Sequence, residues 1–256
     1  MKVIALTYDY DLTKLAEIGR KWAPDVYGNK DYIFEYSAAS YATFLDKNPN
    51  KVLHLYTDDI PLIKEKLSKY VTGLEWVIFY DINHLLEKYK NGMRYSFDML
   101  TDFIHYGKSQ TEFTLKIDND LVFHSEVPEP ATEGNVVYVW KYERLVKEGD
   151  PRMGEIKVAS ETLGTLDFPI YNLGVFGLPA QYPEDEVREL IDRMVDVDIR
   201  PVSDLGVKIW HCAEQTANNW IFHEVGYHVV ETFRHVTHHY DNKQLCIKHA
   251  EYLLKK

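Results

Sequence analysis

The stretch FTLKIDNDLVF, residues 113–123, decides how the chain is read. Asp118, Asn119 and Asp120 interrupt an apolar run, with Leu115 and Ile117 on one side and Leu121, Val122 and Phe123 on the other. A lone buried carboxylate is expensive. Either the strand ends here and the pair lies in a solvated turn, or the pair holds something positive. Two carboxylates two residues apart point the same way on an extended chain, and a turn lets both reach one hard divalent cation.

Outward from this stretch, strand-like and helix-like segments alternate. KVIALTY opens the chain as a β-branched strand, and DLTKLAEIGRKW follows with Leu12, Leu15, Ile18 and Trp22 at helical spacing. Phe34, Ala38, Tyr41 and Leu45 repeat that spacing. KVLHLYTDD is a second strand, and Pro61 opens a helix with Ile63, Leu67 and Tyr70 on one face. EWVIFYD is a third strand, MRYSFDMLTDFIHYG a helix stopped by Gly107, and FTLKIDNDLVF a fourth strand. Strands separated by helices predict an α/β fold with a mainly parallel sheet covered on both faces. Ligands of such sheets bind beyond the carboxyl ends of the strands. Asp9, the Thr57–Asp59 triplet, Asp81 and the Asp118–Asp120 triplet all fall at such ends.

The second half is less regular. NVVYVWKY is a strand, IYNLGVFGLP an apolar run with two glycines, and Val187, Leu190, Ile191, Met194 and Val195 mark an amphipathic helix after Pro183. WHCAEQTANNWIFHEVG reads as a helix ended by Gly226, YHVVETFRHVTHHYDNK as a strand running into a polar loop, and QLCIKHAEYLLKK as a last helix. With no repeat, low-complexity segment or linker, one continuous domain over 1–256 is expected. Its first half, 1–123, ends with the DND strand, and its second half is 124–256.

Composition agrees with a folded enzyme-sized domain. Hydrophobic residues are 45% of 256, so a substantial core can form. Two cysteines, Cys212 and Cys246, give no disulfide framework and fit a reducing compartment. The first apolar run is too short for a signal peptide, and none reaches membrane-spanning length, so a cytoplasmic protein is expected. A formal charge of −11 argues against broad nucleic-acid binding.

An apolar strand ending in DND and followed by LVF resembles the D-x-D element of GT-A-fold glycosyltransferases. Further stretches resemble the same family in the same order: MRYSFDML, YNLGVFG, EQTANNW and HHYDNK. Within the family the resemblance is to retaining enzymes of the glycogenin and bacterial lipopolysaccharide-galactosyltransferase kind, over residues 1 to about 245. The last stretch departs from the family pattern, with Asp241 and Asn242 where a glycine is usual and Lys243 about two residues early.

The resemblance implies a single GT-A-like domain that transfers a sugar from a nucleotide sugar, in the first instance a UDP-sugar, with retention. It implies Mn²⁺ or Mg²⁺ held by Asp118, Asp120 and His239, with His238 the rival ligand. A neutral imidazole suits Mn²⁺. Thr7, Tyr8 and Asp9 would meet the base, Tyr8 by stacking and Asp9 by accepting from a ring N–H. Asn119 stands within the motif. Asn172 would hydrogen-bond sugar hydroxyls, and Gly174 lets backbone approach closely. Lys243 would face the diphosphate. Arg94 and Asp98, one helical turn apart, would face the donor sugar or else pair with each other. Glu214 or Gln215 would sit near the reacting carbon.

Two rival readings stand beside this one. A nucleotidyltransferase on a similar sheet would carry a glycine-rich loop after the first strand, and TYDYDLTK has no glycine. A non-catalytic sugar- or metal-binding protein would bind nucleotide without turnover. HEVGYH is not a zinc-protease motif, because His223 and His228 are five apart and share no helical face. The acceptor is left open among glycan, lipid-linked sugar, protein side chain and modified nucleic-acid base; the negative charge lowers the last.

Overall fold

The computed structural model describes residues 1–9, 29–88, 101, 112–129, 136–142, 157, 161–164, 168–197, 213–232, 236–238 and 243–254. Among them the elements run in chain order β1 (Lys2–Thr7), α1 (Lys30–Lys47), β2 (Leu53–Thr57), α2 (Ile60–Leu67), β3 (Val77–Asp81), α3 (Asn83–Lys88), β4 (Thr114–Ile117), β5 (Leu121–Phe123), β6 (Val136–Tyr142) and β7 (Tyr171–Leu178). After these come α4 (Glu184–Val197), α5 (Ala213–Glu224), β8 (His228–Glu231), β9 (Val236–His238) and α6 (Lys243–Leu254).

Seven strands form one sheet in the order β3-β2-β1-β4-β7-β6-β8. β7 pairs antiparallel with β4 and β6, and the other pairings are parallel. This is the mainly parallel α/β sheet that the alternating pattern predicts. The chain steps outward from β1 to β2 and β3, then returns to lay β4 on the other side of β1. The strand order therefore reverses between β1 and β4, and a crevice opens beyond their carboxyl ends. Because β7 runs the opposite way, its first residues arrive at that same edge.

The sequence predicts one strand from Phe113 to Phe123, and the structure divides it. Residues 118–120 leave the extended conformation, so β4 stays in the main sheet while β5 pairs antiparallel with β9 in a separate small sheet. YHVVETFRHVTHHYDNK likewise yields two strands, β8 and β9.

Helix ends follow local chemistry. Asn29 caps α1 by accepting from the Tyr32 amide at 3.2 Å. Asp59 caps α2 by accepting from the Leu62 amide at 3.0 Å, with Pro61 in the first turn. Gly226, at φ +74°, follows α5, a backbone region where a Cβ is unfavourable. α1 is not the one-sided helix that its apolar spacing suggests. Residues 33, 34 and 36–44 are all buried, because the helix lies between the sheet, β5 and α6.

Two cores meet at β7. Val3, Ala5, Leu55, Leu115 and Ile117 pack with Phe34 and Tyr41 of α1, and Val175 of β7 joins them. Val139, Val187, Ile191 and the fully buried Trp220 form the other, which Phe176 of β7 joins. Removing an aromatic anchor such as Trp220 costs about 3–5 kcal/mol. No described helix is long and apolar enough to cross a membrane.

Candidate functional site

The crevice at the β1/β4 reversal collects most of the described candidate residues. β1 and β4 are in register with Ala5 beside Ile117, so the residues after each strand emerge together. Thr7, Tyr8 and Asp9 thus face Asp118, Asn119 and Asp120 across one strand spacing.

Tyr41 of α1 lies beneath both groups. Its hydroxyl donates to the Leu6 carbonyl at 3.0 Å and is 2.7 Å from the Thr7 hydroxyl. Burial, and behind it the charges of Asp118 and Asp120, push this phenol well above its ordinary value, while the bond to Thr7 acts the other way. Both carboxylates are therefore felt at one point. Thr7 is fully buried and supports the turn from below. Tyr8 packs against the apolar group of Ile4, Tyr56, Ile82 and Leu85.

The DND turn is tied to α1 by side chains. The Asn119 carboxamide donates to the Ser37 hydroxyl at 3.0 Å, so it turns toward the helix. The Ser40 hydroxyl donates to the Leu121 carbonyl at 2.8 Å and accepts from the Leu121 amide at 3.0 Å. Thr43 accepts from the Phe123 amide at 3.2 Å, and Asn48 accepts from the Val127 amide at 2.9 Å. One edge of β5 is thus satisfied by helix hydroxyls and the other by β9.

The third strand of the crevice is β7. The Asp118 amide donates to the Gly174 carbonyl at 2.7 Å, continuing the β4–β7 ladder by one residue. Asn172 is buried, and its side-chain oxygen accepts from the Gly174 amide at 2.9 Å. α5 is fastened to the start of β7 by Asn219. Its carboxamide accepts from the Tyr171 amide and donates to the Tyr171 carbonyl, both at 3.0 Å, and reaches the Gln215 carbonyl at 2.8 Å. Gln215 itself is half-buried on that helix. The sequence groups 214, 215 and 218 on a polar edge, but Asn218 is buried, because α5 is enclosed on nearly all sides from residue 216 to 222.

Along the rim toward β2 and β3 the groups are acidic. The Asp9 amide donates to the Asp58 carboxylate at 3.1 Å, and Lys30 lies 3.7 Å from Asp58 and 3.3 Å from Asp59. Burial raises the Asp58 carboxyl, against the Asp9 bond and Lys30. Asn83 donates to Asp81 at 2.8 Å and to the Asp58 carbonyl at 3.0 Å, joining the ends of β3 and β2, as the Asp9 bond joins those of β1 and β2.

Lys116 is the residue the sequence reading passes over. Two residues before Asp118 on β4, it projects to the same side. Its ammonium is ion-paired with the Asp118 carboxylate and donates to the Leu173 carbonyl at 3.3 Å. It also lies 5.5 Å from the centre of the Phe176 ring. The strand thus ends at Ile117, and Asp118 pairs with the ammonium of a lysine on the same strand.

Asp118 and Asp120 are hard oxygen donors on one turn, which suits Mn²⁺ or Mg²⁺. Among the described residues no cluster of three or more His, Cys, Asp or Glu forms. β9 ends with His238 in register with Leu121, adjacent to Asp120. His239, Arg94 and Asp98 lie outside the described residues, as do the side chains of His238, Glu214 and Lys243. Glu214 falls in the first turn of α5 and Lys243 opens α6.

No family model and no curated protein matches this sequence. Solved structures do. The galactosyltransferase LgtC, in complex with donor and acceptor sugar analogs, superposes with a TM-score of 0.58 at 10% identity, over 100% of this chain and 95% of that one. An active-site mutant of LgtC gives 0.53 at 10% identity, over 86% of this chain and 70% of that one. The bifunctional glycosyltransferase WbbM gives 0.52 at 13% identity, over 91% of this chain but only 38% of its own length. The likeness at these identities is one of fold, and the fold is that of GT-A glycosyltransferases.

Proposed function

We propose that the protein is a cation-dependent glycosyltransferase that moves a sugar from a nucleotide-sugar donor, taken to be a UDP-sugar, to an acceptor with retention at the anomeric carbon. The observation that carries this reading is the meeting of three strand ends at one crevice: Thr7–Asp9 after β1, Asp118–Asp120 after β4, and Asn172–Gly174 at the start of the reversed β7. Laid along that order, a donor finds a suitable surface for each part. The acidic rim of Asp9 and Asp58 accepts N–H donors of a neutral base and repels phosphate. The diphosphate falls beside Lys116 and the DND turn. The sugar falls against Asn172, the Gly174 backbone and α5.

Asp118 and Asp120 would hold a divalent cation, with a histidine from the end of β9 completing the set, and Lys243 near the diphosphate. When bound, the cation supplies charge neutralisation at the departing diphosphate. The remaining work belongs to the chain. Tyr41 holds the end of β1 and the α1 hydroxyls hold the backbone of the DND turn before the ligand arrives, so little reorganisation is left to the reaction. Asn219 holds α5 against β7, and in this reading Gln215 and Glu214 at the start of that helix would meet the sugar end. An oxygen there stabilises the positive charge that develops at the anomeric carbon more than it stabilises the bound donor.

Calorimetric titration of UDP-sugars with and without MnCl₂ tests the reading. Binding is expected to need the cation, and Asp120→Ala is expected to abolish that dependence along with transfer or slow donor hydrolysis. Equal UDP binding in excess chelator and in Mn²⁺ would overturn the metal assignment. A donor that binds yet is neither hydrolysed nor transferred would favour a binding protein.

A further inference from the structure

The geometry points to Lys116 as a specificity-determining residue that makes the DND site select a cation already complexed with a diphosphate over the bare cation. The inference rests on the proposed metal–diphosphate reading of this crevice and concerns a side chain that reading does not require. Lys116 is the more buried member of its ion pair, with 20% of its side chain exposed against 36% for Asp118. Its ammonium lies over the Phe176 ring and is also held by the Leu173 carbonyl, so the charge is fixed on the turn.

The sign of the effect follows from Coulomb's law. A fixed positive charge beside Asp118 removes part of the attraction that two carboxylates exert on a divalent ion, so the bare ion binds weakly. A nucleoside diphosphate carries more negative charge than one divalent ion neutralises. The same ammonium therefore attracts the cation–diphosphate complex, and attracts the diphosphate alone still more. The attraction between cation and diphosphate itself couples their binding, and Lys116 widens the gap between bare cation and complex by weakening the first and strengthening the second.

The test measures three affinities in wild type and variants: Mn²⁺ alone by electron paramagnetic resonance, and UDP with and without Mn²⁺ by calorimetry. Lys116→Met keeps the apolar stem and removes the charge. It is expected to bind Mn²⁺ alone about tenfold more tightly and UDP, with or without Mn²⁺, several-fold more weakly. Lys116→Arg keeps the charge and is expected to stay within about twofold of wild type in all three. Opposite movement of the two ligands is the signature, because a merely structural lesion would weaken both. Lys116→Gln provides the same comparison if the Met variant does not fold. Unchanged affinities, or movement in one direction for both ligands, would overturn the role of Lys116 and leave the crevice reading intact. Absence of Mn²⁺ and UDP binding in wild type at millimolar concentration would overturn both.

Discussion

The two walls of the crevice are fastened in different ways. On the carboxylate wall, Ser37, Ser40 and Thr43 of α1 and Asn48 just past its end bond to a run of chain from Asn119 to Val127, so the load is shared by four side chains. On the opposite wall the Asn219 carboxamide fastens α5 to β7 at Tyr171, above the apolar contact of Trp220 and Phe222 with Leu173 and Phe176. Each device replaces strand-to-strand bonds with side-chain bonds, but the first spreads them over four side chains, while Asn219 gathers three of the second's on one. Loss of one member should therefore be tolerated on the carboxylate wall and felt across the whole of the other.

The sharpest way to break that contrast is Asn219→Leu, which keeps the volume and removes three hydrogen bonds from a buried site. The expected loss is about 3 kcal/mol of unfolding free energy, read from urea midpoints. Ser40→Ala, removing two bonds from the shared wall, should cost only about 1–2 kcal/mol and leave Mn²⁺-dependent UDP binding in place. An equal or greater loss at Ser40 would erase the distinction. Chemistry provides the next probe, because the proposed function sets the α5 wall beside the reacting carbon. Glu214→Ala and Gln215→Ala should each lower donor hydrolysis about tenfold or more, roughly 1.4 kcal/mol of barrier, with donor affinity little changed. Wild-type rates in both variants would make that wall structural.

The smallest effect is in acid. His54 of β2 has its Nδ1 2.9 Å from the Tyr80 hydroxyl. Burial, and behind it the charge of Lys2, pushes its pKa from an ordinary 6.5 down to about 4. The neutral form is favoured in the fold, so its contribution is full above 6.5 and lost as pH falls toward 4. Discounted for partial exposure, the loss is about 1 kcal/mol. Hydrogen exchange should show the weakening in β1–β3 and not in β6–β7, and His54→Gln should remove it.

The contrast also explains what the sequence reveals. Strands separated by helices are legible from β1 to β4 because apolar period and turn residues agree there. The reversal of β7 is not legible, since a strand buried on both faces reads as an apolar run in either direction. The DND turn is visible because carboxylates inside an apolar run demand a reason. Ser37, Ser40 and Thr43 escape notice because small hydroxyls on a helix read as ordinary surface or packing. Their signal is their place on the face that also carries Tyr41 and Phe44. Lys116 escapes for another reason: one cation in a strand looks like a solvated position, and only the two-residue spacing to Asp118 betrays the pair. Asn219 is one of several polar residues in EQTANNW, and nothing local says which of them faces a backbone.

The pairing of β5 with β9 has a consequence for biosynthesis. Residues 121–123 are made long before residues 236–238 exist, so this buried LVF segment lacks its strand partner while the whole stretch between them is synthesised. Its other edge can already be sealed by Ser40 and Thr43, which precede it in the chain. The helix hydroxyls thus act as a provisional cover during synthesis, limiting to one side the interval in which a sticky strand edge is open to other nascent chains.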